Sequence, residues 1–142
     1  MLDKMLTKYL DEEIGRNLPD VENRYRQVFA DLGFDEKNQD FIDYWAIYSN
    51  EIHDEDGYLV DLAAELDDFE HSMTAALREE FQLPSQYISF LRSEINDLLF
   101  YDMDTDEVFL IDVNDLQDFI QSKKHDEKWP SFEEFIKDYL EF

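Results

Sequence analysis

Asp102-Met103-Asp104-Thr105-Asp106 carries carboxylates at alternate positions, the spacing with which a calcium-binding loop begins. Such a loop also needs glycine at its sixth position for a sharp turn and a bidentate glutamate at its twelfth. Those positions hold Glu107 and Val113. The run is therefore read as a turn between two strands, rich in the Asp that turns favour. His53, His71 and His125 are far apart and form no two-histidine helical metal pair. Cysteine is absent, which excludes disulfides, thiolate zinc sites and cysteine nucleophiles. Gly15, Gly33 and Gly57 are spaced too widely for a dinucleotide fingerprint, a phosphate-cradling loop or a nucleophile elbow. Carboxylate pairs for glycosidase-type acid–base chemistry exist by sheer number, so they carry no specificity. The residues point to a protein that is not an enzyme and takes no cofactor and no metal.

What remains is charge. Lys and Arg number 12 and Asp and Glu 37, a formal charge of −25 at pH 7. Binding to bare nucleic acid or to an anionic membrane leaflet needs clustered cations, so neither is an expected partner. A basic or neutral protein is. Glu51, Asp54, Glu55 and Asp56 lie beside Tyr48 and Tyr58, the composition of a polar recognition rim with aromatic anchors. The same stretch also suits a solvated loop. Asp102, Asp104, Asp106 and Glu107 make a second acidic candidate.

These residues need a scaffold, and 2 Trp, 8 Tyr and 12 Phe are too many aromatics for a disordered acidic tail. One domain over residues 1–142 is expected, opening with a helix within residues 1–17. Met5, Leu6, Tyr9, Leu10 and Ile14 follow one helical face up to Gly15, and Val21, Tyr25, Val28, Phe29 and Leu32 repeat the spacing up to Gly33. Phe41 to Tyr48 is apolar nearly all round and reads as a buried helix. Ser49 to Gly57 reads as a loop, Tyr58-Leu59-Val60 as a brief strand, and Leu62 to Phe81 as the longest helix, ended by Pro84. Residues 87–91, 98–101 and 108–111 read as antiparallel strands, their connections being too short for crossover helices. Leu116, Phe119 and Ile120 suggest a short helical piece. Ser131 and Glu134 have capping-box spacing at the start of a final helix, onto which Trp129 is expected to pack. The fold class is α+β, an antiparallel sheet with helices on one face. No apolar run approaches a membrane span or a signal sequence, so a cytoplasmic location is expected.

The order of elements resembles the SUKH superfamily, the Smi/Knr-type domain. The resemblance rests on a Leu18-Pro19-Asp20 break, the aromatic helix running into Ser49-Asn50-Glu51, and an acidic loop ending in Gly57. Leu83-Pro84, the Tyr87 to Leu91 strand, the Leu99 to Ile111 hairpin and the closing Ser131-Phe132-Glu133-Glu134-Phe135 complete it. The chain departs from the family at Glu51, where glycine often follows the asparagine. The resemblance implies a SUKH-like single domain acting as an immunity protein, an antitoxin that binds a cognate bacterial toxin domain, often a nuclease. A monomer or weak homodimer is expected. Fungal relatives serve in cell-wall regulation, so the alternative is a regulatory scaffold of the same fold that binds endogenous protein partners.

Overall fold

The computed structural model describes residues 2–48, 52–54, 57–59, 61–93 and 96–141, with the backbone alone for residues 52–54, 57–58 and 92–93. Helix α1 (Lys4–Glu13) starts where the Asp3 carboxylate accepts the amides of Met5 at 2.8 Å and Leu6 at 3.2 Å, and it buries Leu6 and Leu10. Helix α2 (Pro19–Asp31) has proline in its first turn with Asp20 and Glu22 against the dipole. Beyond α2 the chain turns at Gly33, whose φ of 94° is a left-handed conformation that a side chain would strain. Helix α3 (Gln39–Tyr48) buries Phe41, Tyr44, Trp45, Ala46 and Tyr48. It is the central post of the core, as its all-round apolarity requires.

Strands β1 (Ile52–Asp54) and β2 (Gly57–Leu59) form a hairpin, and β2 pairs with β4 (Leu91–Ser93). The expected long helix is two helices, α4 (Leu62–Asp67) and α5 (Met73–Phe81). Leu62, Leu66, Phe69, Met73, Leu77 and Phe81 keep helical spacing across the break, which hides it from periodicity. Ser72 makes the break. Its buried hydroxyl accepts the Ala75 amide at 3.1 Å and donates to the Phe69 carbonyl at 2.7 Å, capping α5. Ser72→Ala is expected to lower stability by about 1 kcal/mol, read as a lower urea midpoint with an unchanged slope.

The larger sheet has the order β3-β5-β6-β7, all antiparallel, with β3 (Tyr87–Ser89), β5 (Asp97–Asp102), β6 (Val108–Asp112) and β7 (Glu127–Trp129). Strands β3 and β4 are one chain segment bent at the buried Phe90, whose amide donates to the Leu99 carbonyl at 3.2 Å. The strand alternation sorts the core. Ile88, Leu99, Tyr101 and Val108 face the main aromatic cluster with Phe29, Phe41, Trp45, Phe132 and Phe135. Tyr87, Phe100, Phe109 and Ile111 face the other way. Helix α6 (Leu116–Ser122) covers that second face with Leu116 and Phe119.

The α+β class is as expected, but the helices do not all share one sheet face. The continuous apolar runs of β5 and β6 leave no face for water, so the second face must also be covered. The last helix, α7 (Phe132–Tyr139), begins at Ser131, whose hydroxyl accepts the Glu134 amide at 3.2 Å. Trp129 packs edge-on against Phe135 at 5.0 Å and donates to Asp138 at 2.9 Å. Among the described residues no helix is long and apolar enough to cross a membrane.

Candidate recognition surface

The β5–β6 hairpin tip is built on Asp102. Its carbonyl accepts the Asp106 amide at 2.9 Å, its own amide donates to the Glu107 carbonyl at 2.9 Å, and its carboxylate accepts the Asp104 amide at 2.9 Å. Opposite Tyr87 in the ladder, Asp102 is 1% exposed. Burial raises its pKa against the bonds from Asp104 and Thr105. Asp102 thus shapes the turn and offers no surface to a partner, which corrects its place among the contact residues.

Asp106 also works inward. Its φ of 67° turns the chain, and its carboxylate accepts the Tyr101 hydroxyl at 2.6 Å. Asn38, buried beneath, donates to the same hydroxyl at 2.9 Å and to the Met103 carbonyl at 2.8 Å. Asn38 lies in the short turn Glu36–Asn38, so this network ties the tip to the entry of α3. It was not visible in sequence, because Asn38 there is one member of a polar stretch. Glu107 pairs with Lys128 at 3.2 Å. Burial alone would raise Glu107, but the bonds from Thr105 and Lys128 hold it below the ordinary value. Asp104 is the tip carboxylate left exposed. The carboxylates therefore diverge, and among the described residues no group of three or more His, Cys, Asp or Glu is placed to hold a metal ion.

Burial raises the pKa of Asp106 against the hydrogen bonds from Tyr101 and the Phe132 amide. With the folded pKa above the unfolded one, the folded state holds the proton more firmly between the two values. That contribution is present at low pH and is lost as pH rises through the folded pKa. Asn at this position keeps an acceptor for Tyr101, tolerates positive φ and carries no charge. Asp106→Asn is expected to raise the urea midpoint at pH 7, and the advantage should shrink as the pH is lowered through the folded pKa. A constant difference across the pH series would count against this assignment.

Of the other acidic stretch, Glu51, Glu55 and Asp56 lie outside the described residues. Asp54 and Tyr58 sit in the β1–β2 hairpin, where Asp54 pairs with Gly57 and Tyr58 with His53 and Arg92. Tyr48 is not a surface anchor. It is 1% exposed, its hydroxyl donates to Asp11 at 2.7 Å, and the Arg16 guanidinium lies 5.9 Å from its ring. Burial and then Asp11 push its pKa up to about 12. Placed on a helix that is apolar nearly all round, this ring had no route to solvent.

The hairpins that carry Asp54 and Asp102 attach to the β3–β4 segment at different points. Gly57 pairs with Ser93 and Asp102 with Tyr87, so the two hairpins attach at opposite ends of the β3–β4 segment. About 20 Å of strand separates those pairs. The acidity itself is spread over the molecule, with Glu12, Glu13, Asp20, Glu79, Glu80 and Asp104 all exposed. The cations are largely matched already. Arg24 pairs with Asp67, Arg26 with Glu22 and Asp43, Lys37 with Asp35, Lys124 with Asp115 and Lys137 with Asp3. The carboxylate surplus is left facing solvent.

Fold and surface together define an α+β protein of two antiparallel sheets around an aromatic core, with an acidic exterior. Comparison with protein-family models, with curated proteins and with solved structures finds no match.

Proposed function

We propose that the chain is a SUKH-type immunity protein that binds and neutralises a basic toxin domain, a nuclease being the class its charge suits best. The observation that carries this reading is the formal charge of −25 on a folded aromatic scaffold whose described cations are mostly paired with its own carboxylates. A nuclease must present Lys and Arg to phosphates, so such a surface is drawn to it and competes with its substrate. The hairpin at Asp102–Glu107 and the Ser131-capped terminal helix support the resemblance on which the immunity role rests.

The test is the C-terminal domain of a secreted protein encoded beside this chain. Purified together, the two are expected to form a tight complex in which the toxic activity is lost. A toxin domain that keeps full activity with the chain in excess would remove this reading. Several weak endogenous partners, with no tight cognate one, would favour the regulatory scaffold.

A further inference from the structure

Between the last turn of α5, the connection leading into β3 and the β5–β6 tip lies a cavity of about 280 Å³. Leu32, Phe69, Ile88 and Met103 supply the apolar part of its lining, Ser85 and Gln86 are polar, and Arg78 and Asp104 bring opposite charges. This volume is at the small end for ligand pockets, enough for a compact molecule.

Arg78 differs from the other arginines whose side chains are described. Arg16, Arg24 and Arg26 each pair with a carboxylate of their own chain. Arg78 makes no ion pair among the described residues, in a sequence holding 37 Asp and Glu. Its Nη2 donates to the Ser85 carbonyl at 2.6 Å and to the Tyr87 carbonyl at 3.4 Å, and Phe69 lies 5.2 Å from the guanidinium carbon. These contacts hold the fork in one orientation. Buried Nε has no hydrogen-bond partner among the described residues. A guanidinium offers five donors, so the carbonyl bonds leave most of its donor capacity and all of its charge unmatched. Burial lowers its pKa.

We propose that this cavity binds a carboxylate carried on an apolar group, with Arg78 taking the carboxylate and Phe69, Ile88 and Met103 the apolar part. A carboxylate oxygen can accept from Nη1, the guanidinium nitrogen that neither the Ser85 nor the Tyr87 carbonyl takes, in a charge-assisted bond. A single negative charge suits the site better than a phosphate dianion, because Asp104 and the overall charge of −25 oppose each added charge. The carboxylate can come from a free small acid or from the C-terminal residue of a peptide. The inference stands independently of the immunity reading.

Methyl NMR of the full chain tests it with 3-phenylpropanoate as the free acid and N-acetylphenylalanine as the chain terminus. Their uncharged amides serve as controls. At least one acid is expected to shift the Ile88 and Met103 methyl resonances saturably at about millimolar concentration, with the matching amide weaker by about tenfold or more. Preference for 3-phenylpropanoate identifies a free acid as the source, and preference for N-acetylphenylalanine a peptide terminus. Arg78→Gln is expected to abolish the difference between acid and amide. Because Arg78 also ties the Ser85 and Tyr87 carbonyls, the acid-against-amide comparison on the unaltered chain decides the matter without the variant. Absence of saturable shifts with both acids, or equal shifts with their amides, would overturn the proposal.

Discussion

Phe41→Ala is expected to lower the free energy of unfolding by about 3–5 kcal/mol. That is a large part of the roughly 5–15 kcal/mol available to a domain of this kind. Phe41 is fully buried at the meeting point of three layers. Its ring stacks on Tyr101 of β5 at 3.8 Å and 8°, meets Phe132 of α7 edge-on at 4.9 Å, and touches Phe29 of α2 at 5.9 Å. Truncation removes one partner from each contact at once, and rings fixed on separate elements cannot all move inward to refill the space. Phe41→Leu keeps most of the volume and should cost less than half as much. Urea titration of both variants provides the check, the midpoints carrying the effect if the slopes agree. A loss below about 1 kcal/mol for Phe41→Ala would mean that the site collapses freely and that α3 is not the post of the core. The effect should also reach the surface, since Tyr101 carries both the Phe41 stack and the hydroxyl that holds Asp106.

The parts of this fold that sequence made legible are those in which one local rule acts alone. Ser131 and Glu134 mark the start of α7 because a cap is a contact between near neighbours. The tip from Asp102 to Glu107 is legible for the same reason, as its bonds close within the turn. Strand β7 was missed because its sequence is polar. It is held by backbone pairing to β6, and only Trp129, opposite Val108, contributes to the core. The Ser72 break was missed because the apolar stripe continues across it. Among the candidate site residues, the failures follow from tertiary position. Tyr48 and Asp102 look exposed by neighbourhood in the chain, one beside a polar loop and the other in an acidic turn, yet packing buries both. Arg78 carried no sequence signal at all. Its lack of a carboxylate partner among the described residues depends on where residues distant in the chain come to rest.

In a verified complex with a basic toxin domain, raising the salt concentration from about 0.1 to 1 M is expected to slow association by about 10- to 100-fold. The dissociation rate should change far less. Long-range attraction acts before contact and over distances comparable with the Debye length, which falls from about 10 to 3 Å over that range. Once the surfaces meet, desolvated packing sets the lifetime and salt has little access to it. Because the carboxylates are spread over the surface, Asp104→Asn alone should lower the association rate only slightly. Neutralising Asp54, Glu55 and Asp56 together should do more and should flatten the salt dependence. The opposed attachment of the two hairpins makes the comparison informative about the binding face. Only the hairpin in contact with the toxin should also alter dissociation when its carboxylates are neutralised. Change in dissociation from the Asp104 variant would place the contact at the β5–β6 tip, and change from the triple variant at the β1–β2 hairpin. An association rate that ignores salt would sink charge steering, and the acidic exterior would then have no part in finding the toxin.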